Sequence, residues 1–258
     1  MLNYYLLSII VAGVVLCATI ALLVRVLYLQ FGMKGHFIRK AAKALAISKS
    51  EVKLRFQLVM NEAQAMCRAN GAQMRFSPYY PSAKVNDFGI VTSYKKMRLI
   101  TYAPMWIYLI ATKSLLWHIA FLQSVGHEFA HRKDAAKGKG FYRRSKEEKR
   151  FYYWLREVRC DFEGVRMVLD YFDSKHWSRK TVVSAVKKKS GKYIALSKKG
   201  DKATMSHPSW ALRVALLKQH EEFNEEVVAA VAKAAGCTNE AYIEAMQKAT
   251  IKREVIKF

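Results

Sequence analysis

The chain has 258 residues, enough for one good-sized buried core. Its 44 basic and 20 acidic residues leave a formal net charge of +24, which asks for an anionic neighbour, either lipid head groups or nucleic acid. The four cysteines, Cys17, Cys67, Cys160 and Cys237, form no C-x-x-C pair, which argues against a disulfide framework and fits a reducing compartment.

Met1 to Val24 carries no charged side chain. Tyr4 to Val24 is 21 residues, nearly all apolar, long enough to span a bilayer. Tyr4 and Tyr5 at one end, and Arg25 and Tyr28 at the other, suit the two interfaces. A cleaved signal peptide would want a basic start, a shorter apolar core and a small-x-small cleavage site, and none is clear. Nor is Cys17 a lipid anchor, since Leu16 stands where a small residue is wanted. The expectation is an uncleaved transmembrane anchor. Arg25, Lys34, Arg39, Lys40 and Lys43 follow it and no basic residue precedes it, so the positive-inside rule places the bulk of the chain in the cytoplasm.

Gly35 to Ile47 reads as a basic, Ala-rich helix able to lie along a membrane. Ser48 and Glu51 form a capping box for a helix to about Ala69, stopped by Asn70-Gly71. Strand character follows over Ala72–Phe76, Val85–Val91 and Met97–Tyr102, with Pro78 and Pro81 marking the turn between the first two. Ile100 to Val125 is apolar but contains Pro104, Lys113 and His118. It reads as a loop or short helix leading into a buried helix, with a second membrane span as the alternative.

The next stretch carries chemistry. Thr112 to Asp134 holds no Pro and a single Gly, Gly126. Leu115, Leu116, Ile119, Leu122 and Val125 recur at helical spacing. At the end of that pattern stands His127-Glu128-Phe129-Ala130-His131, an H-E-x-x-H motif. Two histidines four apart share one helix face and can bind one zinc ion. Glu128, next to the first, then sits where it can take a proton from a water that the metal activates. His118 lies off that face and reads as a core or interface histidine.

Arg132 to Arg150 reads as a polar loop. Tyr152 to Phe172 reads as a second helix with the acids Glu157, Asp161, Glu163 and Asp170. Glu157 and Asp161 share a face, and Val158, Val165 and Leu169 lie close to it. An acid near an apolar face requires a partner. For Glu157 that partner is a metal held by the histidines, or else Arg156 or Arg159 on a solvated face. Lys175 to Lys202 is strongly basic, with Asp201 its only acid. Its aromatics, Trp177 and Tyr193, are too sparse to support nucleic-acid readout. Pro208 opens a helix to about Ala235, ended by Gly236. Thr238 is the expected N-cap of a last helix, Asn239–Ile256.

Three of these elements together carry a resemblance. Arg156-Glu157-Val158-Arg159-Cys160-Asp161 resembles the R-E-x-x-A-D signature of the HtpX-type and CAAX-prenyl-endopeptidase-type membrane zinc metallopeptidases. Ser206-His207-Pro208-Ser209-Trp210-Ala211-Leu212-Arg213 resembles that family's later S-H-P-x-x-x-x-R element. The resemblance covers roughly Asn86 to Leu217. It implies a gluzincin fold, with His127, His131 and Glu157 as zinc ligands, Glu128 as the base, Asp161 behind the ligands, and His207 and Arg213 steadying the oxyanion. Asn86-Asp87-Phe88 resembles the N-A-F stretch of the edge strand that binds substrate, with Asp87 in place of Ala. Cys160 replaces Ala in the acidic motif, and only 25 residues separate His131 from Glu157, so the intervening subdomain is trimmed.

The expected molecule is a mostly helical α+β zincin-like domain with a small β-sheet. Residues 1–28 are an anchor, 29–71 juxtamembrane helices, and 72–258 the metallopeptidase domain. It is expected to be a single-pass membrane protein that binds one Zn2+ and hydrolyses peptide bonds in protein or peptide substrates. Its basic surface is expected to meet anionic lipid rather than nucleic acid. The alternative is a membrane-bound binding or scaffold protein on the same fold that does not cleave.

Overall fold

The computed structural model describes residues 2–27, 32–78, 90–91, 98–133, 141–196 and 200–251. Helices dominate it: α1 (Leu2–Leu27), α2 (Met33–Leu45), α3 (Lys49–Ala69), α4 (Met105–Thr112), α5 (Leu115–Ala130), α6 (Lys146–Tyr171), α7 (Arg179–Leu196), α8 (Trp210–Gln219), α9 (Glu225–Ala235) and α10 (Glu240–Ile251). A small mixed sheet has the order β1-β3-β2, from β1 (Arg75–Pro78), β2 (Ile90–Val91) and β3 (Leu99–Tyr102). β1 runs parallel to β3, with Phe76 opposite Ile100. β2 is antiparallel, with Val91 opposite Thr101. The α+β, mostly helical class is as expected.

Local chemistry explains the boundaries, including those that differ from expectation. Ser48 accepts a hydrogen bond from the Glu51 N–H (3.1 Å) and opens α3, the N-cap half of the expected box, while the Glu51 carboxylate accepts from Arg55 (2.7 Å). α6 starts at Lys146, inside the stretch expected to be loop. The cause is a capping box: Ser145 Oγ accepts from the Glu148 N–H, and the Glu148 carboxylate accepts from the Ser145 N–H. The helix expected from Pro208 to Ala235 is two helices. Ser209 caps α8 by accepting from the Leu212 N–H, and Asn224 caps α9 by accepting from the Val227 N–H. A side chain that satisfies the first turn of a new helix competes with continuation of the old one. The last helix is capped by Asn239, not Thr238: Asn239 Oδ1 accepts from the Tyr242 N–H. The expected helix over Thr112–Asp134 is interrupted too. Lys113 is extended, and α5 begins at Leu115 and passes into a 3-10 turn at His131.

α5 is the centre of the molecule. Every residue from Ile119 to Ala130 is buried, and α6 and α7 pack on it most extensively, with α3 and α4 beside them. Phe121, Leu122, Val125, Leu155, Val158 and Val186 are sealed in the same apolar cluster. Phe37 and Ile38 of α2, and Val52 and Phe56 of α3, join that cluster. The segment after the expected anchor is therefore part of the one core, not a separate layer.

α1 stands outside that cluster. Ile10, Val14, Leu16, Leu22 and Val24 are exposed. Among the described residues no helix is long and apolar enough to cross a membrane; the side chains described in α1 are those of Ile10–Val24 and Leu27. The expected span at this helix rests on the sequence.

Candidate metal centre

The site is built where α5 and α6 cross, and two glycines set the crossing. A Cβ at Gly126 would stand 2.9 Å from the Gly164 Cα. A Cβ at Gly164 would stand 2.7 Å from the Gln123 carbonyl oxygen and 2.8 Å from the His127 nitrogen. The two backbones touch there, which only hydrogen side chains permit. Glu157, Asp161 and Gly164 lie at i, i+4 and i+7, on one stripe of α6. Seating Gly164 against α5 therefore aims both acids at the histidine face.

The three expected ligands do converge. His127 Nε2 and His131 Nε2 are 3.1 Å apart. Glu157 Oε2 is 3.5 Å from the former, and Glu157 Oε1 is 3.5 Å from the latter. A tetrahedral site with ligand distances of about 2.0–2.1 Å has edges of about 3.3–3.4 Å. The donor spacings lie near such an edge, with the two to Glu157 falling on its two different oxygens, so the group can hold a metal ion, and it is a His/His/carboxylate donor set. Glu157 forms ion pairs with the histidines and with Arg213.

Groups behind the ligands set their orientation. His127 Nδ1–H donates to Asp161 Oδ1 at 2.9 Å, which turns Nε2 towards the donor cluster. Asp161 in turn accepts from Arg213 Nε (2.6 Å) and Nη2 (2.7 Å), a bidentate pair. His131 Nδ1 lies 3.4 Å from Cys160 Sγ, so the cysteine that departs from the family pattern sits directly behind the second histidine. Burial opposes charge at all of these groups. Even so, the Asp161 and Glu157 carboxylates raise His127 to about 9. His127, Arg213 and His131 hold Glu157 down at about 2, and Arg213 and His127 keep Asp161 below the ordinary carboxylate range. The His127 imidazolium and the Arg213 guanidinium together balance the two acids.

Glu128 is buried and lines a cavity of about 290 Å³ together with His127, Glu157, His207 and Arg213. The remaining expected residues divide. His207 is exposed at the cavity wall, with Nε2 3.8 Å from Glu157 Oε1 and Nδ1 2.8 Å from Ser206 Oγ. Arg213 is buried, and its guanidinium is turned onto Asp161, with Nη1 3.7 Å from Glu157. Asn86 and Phe88 lie outside the described residues. His118 is away from the site, bonded to Glu62 of α3 at 2.5 Å, as an interface histidine would be.

The sequence reading missed Lys189. It is buried at the same cavity, where its Nζ donates to Ser124 Oγ (2.8 Å) and Gln123 Oε1 (3.1 Å). The basic composition of its neighbourhood hid it. The local signal was its spacing: Lys189 follows Val182 by seven residues and Val186 by three, on the buried stripe of α7. Comparison of the chain with protein-family models, with curated proteins and with solved structures finds no match.

Proposed function

We propose that this chain is a membrane-anchored zinc metalloendopeptidase. The observation that carries the proposal is that a three-donor metal cluster and a buried glutamate, Glu128, wall the same cavity. The order of the three motifs along the chain supports the same reading. Two imidazoles and one carboxylate suit zinc, with a further coordination position left for chemistry. A zinc ion held there supplies Lewis-acid activation of a water and of the scissile carbonyl. Glu128 accepts the proton from the attacking water and passes it to the leaving amine. His207, at the cavity wall, donates to the developing oxyanion. Arg213 acts through Asp161 and so positions His127.

The anchor is α1. The sequence supports this, since Tyr4 to Val24 is a run of 21 residues without a charge, near the roughly 20 that a helix needs to cross a bilayer core. Its described apolar side chains are exposed, and the basic residues follow it, which favours a cytoplasmic catalytic domain and contact with anionic lipid. The substrate class is protein or peptide.

Incubation of the purified chain with a peptide library, with and without a chelator, tests the chemistry. Cleavage that the chelator stops and zinc restores is the expected result. No cleavage under either condition makes the chain a binding scaffold instead. Separation of membrane and soluble pools tests the anchor, which is wrong if the full-length chain stays in the soluble pool.

A further inference from the structure

The buried ammonium of Lys189 has no role in the chemistry above. Burying a lysine away from water is costly unless its charge is balanced. Yet both of its hydrogen-bond partners, Gln123 Oε1 and Ser124 Oγ, are neutral, and among the described residues it forms no ion pair. Its remaining close neighbour is the Trp210 ring, with the nitrogen 5.2 Å from the centroid. An ammonium has three N–H donors, and two are used.

Three other charges at this wall have partners of their own, while Lys202 at its rim is exposed. Arg213 is locked to Asp161, and Glu157 belongs to the donor cluster. Asp201 accepts from the Trp210 and Ala211 N–H groups at the start of α8. Burial pushes the Lys189 amine down to about 8, against the pull of the Asp161 and Glu128 carboxylates, so it is still largely cationic at neutral pH. The cavity therefore carries a fixed positive group that faces open volume beside the proposed reaction centre, one turn of α5 before His127.

We propose that Lys189 is a specificity residue that binds a carboxylate of the substrate, either an Asp or Glu side chain or the chain-terminal α-carboxylate. The inference rests on the peptidase reading, since it assumes that peptides enter this cavity. A single charge-assisted hydrogen bond in a desolvated recess gives about a tenfold preference or more over a neutral isostere.

The test uses the Glu128→Gln chain, so that ligands are not consumed. The probes are hexapeptides carrying one Glu at successive positions, their Gln twins, and each with a free or amidated end. Calorimetry is expected to show one register in which the acid binds at least tenfold more tightly than its twin. If only the free-ended peptides show the gain, the α-carboxylate is the source. Adding Lys189→Met should remove the preference and leave binding of the Gln twin unchanged. Should that variant not fold, protection of Lys189 from reductive methylation by the acidic peptide, and not by its twin, reads the same contact on the Glu128→Gln chain. Equal binding of all twins, or a preference that survives Lys189→Met, overturns the inference. In the parent chain, cleavage without acid preference sinks the inference alone. Acid-selective binding without cleavage sinks the peptidase reading alone.

Discussion

Asp161 and Arg213, 52 positions apart in sequence, form a bidentate pair at 2.6 and 2.7 Å, and the same carboxylate accepts from His127 Nδ1 at 2.9 Å. α8 therefore reaches the donor cluster through two carboxylates of α6, closely at Asp161 and more loosely at Glu157, 3.7 Å away. Removing Arg213 leaves the buried Asp161 carboxylate with only His127 to offset its charge. Arg213→Ala should lower stability by about 3–5 kcal/mol, the usual cost of breaking a buried pair. It should also weaken metal binding, because His127 loses its fixed orientation. Denaturant unfolding and metal titration of the variant check both effects. An unchanged midpoint would mean that Arg213 is not coupled to Asp161.

Metal retention should depend on Glu157 as much as on the histidines. Glu157→Ala and His131→Ala should each fail to hold zinc after dialysis that leaves the parent loaded. Metal analysis of the dialysed proteins reads this directly. Full occupancy in Glu157→Ala would remove Glu157 from the site.

Glu128→Gln should keep both fold and metal, since Glu128 is not in the donor group. Peptide cleavage should fall by about 10²–10⁴-fold, because an amide cannot accept the proton. That loss corresponds to about 3–5 kcal/mol at ~1.36 kcal/mol per tenfold. Rates equal to the parent would reject the proposed general base.

Gly164→Ala tests the helix crossing. The added Cβ would stand 2.7 Å from the Gln123 oxygen, a backbone atom that cannot swing aside, so α5 and α6 must separate. A loss of about 1–3 kcal/mol is expected, typical of overpacking. Metal affinity should drop as well, since Glu157 moves away with α6. Gly191→Ala is the control: its Cβ meets nothing, and the variant should be neutral or slightly more stable. If Gly164→Ala matches that control in both measurements, the close crossing does not position the ligands.

Much of the site was legible before the fold. H-E-x-x-H marks a candidate metal-binding face because i and i+4 share a face on any helix, though it needs a third ligand from elsewhere. The α3 boundaries were legible for a similar reason, since Ser48, Glu51 and Asn70-Gly71 act on neighbours within one turn. Glu157 could be ranked as a ligand from its own apolar surroundings, but its choice over Arg156 and Arg159 depended on the motif resemblance. The break between α8 and α9 was missed because helical periodicity continues across it, while the Asn224 cap that ends it is a competition between two local structures.

By itself the sequence determined the quantities that depend on near neighbours: the histidine pair, the adjacent glutamate, the Ser48 cap of α3, and an apolar run long enough for a membrane. The tertiary structure alone decided how remote groups meet. Gly126 and Gly164 set the distance between two helices, and that distance sets the 3.5 Å spacings from Glu157 to the histidines. Arg213 turns from a presumed oxyanion donor into the clamp on Asp161, and Lys189 leaves a basic run to enter the cavity. The physical reason is shared. Helix periodicity specifies which face a residue occupies, but which face of another helix it meets depends on backbone approach and on the partner that balances a buried charge.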